Sequence, residues 1–351
     1  MSTLSEKRNE MLRYLGIFFL CVSLFLCRQI QAEDSAPRKI ILLEQAKQVS
    51  ERDVKRAAES ESEKNADGGY NANVRVVDCF AAMEYHYTGG RYVDKPIRFR
   101  MLSPETIKPR KKYPLIIWFH GMGESGNDNT RQLSHVQSTI NVIAGKNKLD
   151  FFMIVTQCPP DNKSWENSIS KEGKGDASIT IAEEIFDTVI QEYPIDTNAL
   201  GVFGVCSGGN AAWNFAAKHP GRFAAMAACS SSPSGNPQDF QQTAIWAFNN
   251  KDDSASWETM EQFINSINAV NGNAYVTLKE TGGHDSWTNA LYAEEVIRWM
   301  LLQNLKRCSV PQGTACYYRT SGNVFGLFGL PIFAILSVLF FPYIYSFYRK
   351  K

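Results

Sequence analysis

The chain lacks an excess of either charge. Its 351 residues carry 37 Lys and Arg against 36 Asp and Glu, a formal net charge of +1. Nucleic-acid affinity comes from neutralising phosphates, so a chain this balanced has no general attraction for DNA or RNA. Metal-binding patterns are also missing. Among eight cysteines there is no CxxC pair and no close Cys/His cluster, and the five histidines (His86, His120, His135, His219, His284) lack ligand spacing. A structural zinc site is excluded on that pattern. No internal repeat is visible. What is present, 44% hydrophobic and 21% charged residues, is the composition of a globular protein.

The two ends carry the long apolar runs. Tyr14–Cys27 is uncharged and follows Lys7, Arg8 and Arg13. As a helix it would span ~21 Å against a bilayer core of ~30 Å, which suits the apolar region of a signal peptide ending near Ala32; an uncleaved signal anchor is the alternative. Leu327–Tyr348 is also uncharged and is followed by Arg349, Lys350 and Lys351. That length spans a membrane, and the basic end favours the cytosolic side. The expected order is a leader (1–32), a charged stalk (33–73), a folded domain (74–305), a juxtamembrane linker (306–326), a transmembrane helix (327–348) and a basic tail (349–351). The folded part is then outside the cytosol, where disulfides persist, and Cys308 with Cys316 is the best candidate bridge.

Between the ends, β-rich runs alternate with helical stretches. Strands are expected at Val74–Phe80, Ile97–Leu102, Leu115–His120, Phe151–Thr156, Leu200–Cys206, Ala224–Cys229, Ala244–Asn249 and Tyr275–Glu280. Helices are expected near Thr130–Ala144, Ile179–Tyr193, Gly208–Lys218, Glu258–Val270 and Trp287–Lys306. Continuous Val/Ile/Phe runs imply strands buried on both faces, hence a mainly parallel sheet of about eight strands covered by helices.

One strand-to-helix junction carries a chemical signature. Gly204-Val205-Cys206-Ser207-Gly208 fits G-x-nucleophile-x-G, the sharp elbow that lifts one side chain above the sheet edge. Ser207 is the rival nucleophile, but its flank would then be Val205, which breaks the pattern. A thiolate at Cys206 would be stabilised by the helix N-terminus and a nearby imidazolium. In chain order the acid and base should follow. His284, in the loop GGHDSW, is the one histidine beyond His219. Asp253, with Asp252 as the alternative, follows the strand TAIWAFNN. The stretch HGMG offers the Met122 N–H as an oxyanion donor, with Gly123 the alternative, and the Ser207 N–H would be the second donor. His120 reads as a brace for that loop.

These stretches, with VTQCPPDNKSW, resemble the α/β-hydrolase superfamily over about residues 74–305, in particular its phospholipase/carboxylesterase-like and feruloyl-esterase-like branch. The branch carries serine in a GLSMGG-like elbow where this chain has GVCSGG, and the cysteine is similar to that of dienelactone hydrolases. The family pattern F-H-G-x-x-D aligns with Phe248 to Asp253, with Asn249 and Asn250 in place of His-Gly. The resemblance implies an α/β-hydrolase fold and a carboxylic-ester hydrolase working through Cys206, His284 and Asp253, with no metal and no organic cofactor. The segment of about a dozen residues before Ala244 is too short for a lid, so an open cleft for small or polymer-linked esters is expected, with Trp165 and Trp287 as its candidate lining. A non-catalytic binding module on the same fold and a peptidase are the alternative readings.

Overall fold

The computed structural model describes residues 40–46, 76–87, 95–136, 138–144, 148–159, 165 and 178–306. The chain divides into units of residues 1–41 and 42–351. The expected leader, transmembrane helix and basic tail lie outside the described residues, as do Cys308 and Cys316. No helix among the described residues is long and apolar enough to cross a membrane. Among those residues Cys79, Cys158, Cys206 and Cys229 are free thiols.

The elements are β1 (Ile40–Glu44), α1 (Val76–Cys79), β2 (Ala81–Tyr87), β3 (Lys95–Leu102), β4 (Tyr113–Phe119), α2 (Thr139–Ala144), β5 (Phe152–Thr156), α3 (Ser178–Glu192), β6 (Ile195–Val205), α4 (Ser207–Lys218), β7 (Ala225–Cys229), β8 (Ala244–Asn250), α5 (Trp257–Ala269), β9 (Asn273–Lys279) and α6 (Val296–Leu301). The nine strands form one sheet in the order β1-β2-β3-β5-β4-β6-β7-β8-β9. β3 runs antiparallel to β2 and β5, and from β5 to β9 all pairings are parallel. This is the expected α/β-hydrolase architecture, with one strand more than the expected eight.

The central parallel strands are the most deeply buried: every residue of β5, β7 and β8 is buried. That is why they read as unbroken apolar runs instead of alternating ones. In α3, Ile181, Ala182, Ile185, Phe186 and Val189 form the buried stripe, the spacing of a helix lying on a sheet.

Four local expectations are corrected. Of the strand expected at Val74–Phe80, the described part is not a strand: α1 occupies Val76–Cys79, and the strand begins at Ala81, with Asp78 in the helix's first turn, where a carboxylate is favoured. Within the expected stalk, Ile40–Glu44 is a strand. The helix expected over Thr130–Ala144 is a 3-10 turn at Arg131–Leu133 followed by α2. There the Asp128 carboxylate accepts from the N–H groups of Thr130 and Arg131, and the Ser134 hydroxyl donates to Arg131 O, side-chain bonds that compete with a continuous helix. The last helix is interrupted: a π-turn at Asn289–Ala293 precedes α6, and Glu295 between them takes a left-handed conformation (φ 49°).

Candidate active site

The site lies at the carboxyl ends of the parallel strands, where ligands bind in open α/β sheets. β6 ends at Val205 and α4 begins at Ser207, so Cys206 forms the turn alone, at φ 54° and ψ −123°. A side chain at that backbone conformation is strained. Glycine is required on both flanks. A Cβ on Gly204 would lie 2.0 Å from Gly208 O, and one on Gly208 would lie 2.1 Å from Phe119 O. Cys206 N–H donates to Cys229 O at 2.9 Å, fastening the elbow to β7. Ser207 is the first residue of α4, so its N–H has no carbonyl partner inside the helix.

The loop after β4 supplies the second wall. A 3-10 turn at Met122–Glu124 closes with Glu124 N–H donating to Gly121 O at 3.2 Å, so the N–H groups of Met122 and Gly123 precede the first bond of the turn. Met122 is 53% exposed. A Cβ on Gly121 would stand 3.4 Å from the Cys206 Cβ; the loop therefore passes directly beside the thiol-bearing carbon.

His120 holds this loop. Its Nε2 lies 2.9 Å from Cys158 N and its Nδ1 lies 2.6 Å from Gly121 O. The amide can only donate and the carbonyl can only accept, so Nε2 is unprotonated and Nδ1 carries the hydrogen. Burial pushes this imidazole's pKa below its ordinary value, against opposing pulls from Gly121 O and the Glu124 carboxylate. A neutral ring is what both bonds require. Gln157 adds a bond from Nε2 to Glu124 O at 3.0 Å.

Trp165 is corrected as a cleft residue. It is 2% exposed, its Nε1–H donates to His120 O at 2.9 Å, and its ring packs edge-on against Phe119. It braces the loop from within the core. Trp287 is half-buried and lies beside His284.

The loops after β8 and β9 meet through the two adjacent aspartates. His284 Nδ1 lies 2.9 Å and 3.0 Å from the two Asp253 oxygens. Burial alone would raise the Asp253 pKa. The His284 hydrogen bond, the Ala255 N–H and the imidazole's charge outweigh it, and the carboxyl is held below its ordinary value. An ionised carboxylate can only accept, so Nδ1 is the donor and Nε2 is left free to take a proton. The Asp253 side chain is 1% exposed and that of His284 44%: the acid is sealed and the imidazole is open. Asp252 instead accepts from the N–H groups of Gly282 (3.1 Å) and Gly283 (2.8 Å). Both glycines have positive φ, 147° and 57°, and the turn needs them. Ser286 Oγ–H donates to Phe248 O at 2.8 Å and lies 2.8 Å from Ser230 Oγ. The His284 loop is thereby tied to the ends of β7 and β8.

The elbow, acid and base positions expected from sequence therefore follow β6, β8 and β9 at the same end of the sheet. Sequence reading missed the roles of Asp252, Ser230, Ser286 and Cys158. Only the adjacency of Asp252 and Asp253 hinted at any of them. Among the described residues no group of His, Cys, Asp and Glu could hold a metal ion.

The family model described as "Putative esterase" matches residues 90–322. Among solved structures, a thermostable esterase is similar to 65% of this chain at 24% identity and a TM-score of 0.54; the match spans 64% of that protein's length, just under two thirds. A ferulic acid esterase is similar to 63% of this chain at 14% identity and a TM-score of 0.50, over 97% of its own length. Likenesses at these identities speak to the fold. No curated protein matches the chain.

Proposed function

The chain belongs to this esterase family, and from that premise we propose that it is a carboxylic-ester hydrolase whose nucleophile is Cys206, with His284 as base and Asp253 as the acid that orients it. The observation that carries the reading is the pairing of His284 Nδ1 with the sealed Asp253 carboxylate, in a loop tied to strand ends beside an elbow whose tip is a cysteine. Asp253 is preferred over Asp252 because Asp252 is engaged by backbone N–H groups. Cys206 is preferred over Ser207 because Cys206 has the strained elbow conformation and Ser207 is already helical.

The chemistry runs in two halves. His284 Nε2 takes the Cys206 thiol proton as sulfur attacks the ester carbonyl carbon, and the N–H groups of Met122 and Ser207 receive the developing oxyanion. Collapse breaks the bond to the alcohol oxygen, which leaves with the proton from His284, and a thioester remains on Cys206. Water then gives a proton to His284 and attacks the thioester. The acid departs and the proton returns to sulfur.

The protein is further proposed to be secreted by its apolar leader and anchored through residues 327–348. Protease protection of the folded domain in intact vesicles tests this; cleavage from the cytosolic face overturns it.

Turnover of an activated acyl ester by the wild type, Cys206→Ala and Ser207→Ala tests the site. Cys206→Ala should abolish turnover, and Ser207→Ala should keep most of it. The opposite ranking would mean that the nucleophile is Ser207.

A further inference from the structure

One run of contacts across the mouth of the site takes no part in the steps above. The Trp287 ring lies 5.6 Å from the His284 ring at an interplanar angle of 87°, an edge-to-face contact. Trp287 also lies 5.2 Å from the His135 ring. His135 Nε2 is 3.5 Å from Glu124 Oε1. Glu124 belongs to the 3-10 turn of the oxyanion loop, and its Oε2 lies 3.0 Å from where a Gly121 Cβ would stand. Glu124, His135, Trp287 and His284 thus form a continuous line from the loop after β4 to the loop after β9.

His284 needs such a support. Its side chain is 44% exposed, and Asp253 holds it by hydrogen bonds at Nδ1 alone. Hydrogen bonds at one ring nitrogen leave the ring free to rock about that contact, whereas a second contact at another edge fixes its plane. Trp287 is well placed to give one. It packs against the hydrophobic core, and its backbone lies in a turn that Asp285 caps through the N–H (3.0 Å) and hydroxyl (2.8 Å) of Thr288.

We propose that Trp287, backed by His135 and Glu124, is a positioning residue that holds the His284 imidazole in the plane required for proton transfer. The inference rests on His284 being the base of the ester hydrolase proposed above. It adds that the oxyanion loop and the base loop are braced against each other, so that one wall of the cleft is rigid.

The test uses the full chain and p-nitrophenyl acetate, with rates normalised to active sites titrated by iodoacetamide at Cys206. Trp287→Leu should lower kcat per site about threefold to tenfold, the range an aromatic contact supports, with KM changed less than twofold. Trp287→Phe, which keeps an aromatic edge, should recover most of the loss, and His135→Ala should give a smaller loss of the same kind. An unchanged kcat per site, a change confined to KM, or no recovery by Trp287→Phe would each overturn the proposal. If the wild type shows no Cys206-dependent turnover, the hydrolase reading fails, and the brace is then judged by NMR on the ring itself. A ring-current shift of the His284 carbon-bound protons that disappears in Trp287→Leu supports the brace; identical shifts overturn it.

Discussion

Asp252 and Asp253 are neighbours in sequence that bind different parts of one loop: Asp253 accepts from the imidazole of His284, and Asp252 accepts from the backbone of Gly282 and Gly283. One carboxylate orients the ring while the other shapes the turn that carries it. The pair divides orientation from scaffolding.

That division predicts separable phenotypes. In Asp253→Asn the amide offers N–H where the ring needs an acceptor, which drives the His284 proton onto Nε2 and removes the base. We expect kcat to fall by about 10²- to 10⁴-fold with KM little changed. Asp252→Asn keeps one acceptor for the loop, so activity should fall less than about tenfold, with a loss of about 1 kcal/mol in stability. Steady-state kinetics and urea unfolding on both variants check this; equal losses of kcat would mean the two carboxylates share one role. Acid unfolding gives a second readout. Because the Asp253 pKa lies below its ordinary value in the fold, the ionised carboxylate stabilises the protein above about pH 4. That contribution is lost as pH falls through the lowered value, and Asp253→Asn should lack this part of the acid limb.

The elbow predicts opposite effects of substitutions two residues apart. Cys206 holds a conformation that favours glycine, at a cost of about 1–3 kcal/mol. Cys206→Gly relieves this and restores about 0.5–1 kcal/mol of unfolded-chain entropy. It should therefore abolish turnover while raising unfolding stability by about 1 kcal/mol. Gly208→Ala does the reverse, since its Cβ would meet Phe119 O at 2.1 Å and His120 O at 2.4 Å. A loss of about 3 kcal/mol or more is expected. Gly123→Ala, with nothing within 4 Å of its Cβ, serves as the silent control. A Cys206→Gly protein less stable than wild type would show that the elbow is not strained.

The parts of this site that were legible in sequence are those set by local backbone rules. G-x-C-x-G is readable because Gly204 and Gly208 are forced by contacts within one strand-turn-helix, and His284 is readable because no other histidine follows His219. The strand runs were readable because burial on both faces leaves β7 and most of β5 and β8 apolar. What escaped is set by distant packing. Trp165 and Trp287 look alike in sequence, yet one is sealed under the loop after β4 and the other stands at the mouth. Nothing near Cys158 in the chain announces that its amide meets His120, 38 positions away. The strand expected at Val74–Phe80 failed for a local reason: a segment this short, with Val76, Val77 and Cys79 as its apolar residues, fits one helical turn as well as a strand.

The last prediction concerns acid and His120. The ring is held neutral in the fold, with Nε2 accepting from Cys158 N–H, whereas an unfolded histidine has a pKa of about 6.5. Protonating Nε2 would place two N–H donors against each other in a buried site. Burial is the main force lowering this pKa, and His135 adds to it, while Gly121 O, Glu124 and Asp128 oppose it. Below about pH 6.5 the unfolded chain therefore binds a proton that the folded chain refuses, so stability falls with decreasing pH. The slope can reach about 1.4 kcal/mol per pH unit for one such group and ends once pH drops below the lowered folded pKa. His120→Gln offers an uncharged acceptor to the same amide and cannot titrate. It should be about 1 kcal/mol less stable than wild type at pH 8, because the ring contact with Trp165 at 4.8 Å is lost. Between pH 6.5 and 5 its stability should fall less steeply than that of the wild type. Urea midpoints of both proteins across pH 5–8 measure the difference. Parallel curves would mean that His120 takes up its proton without disturbing the fold and does not hold the oxyanion loop by being neutral.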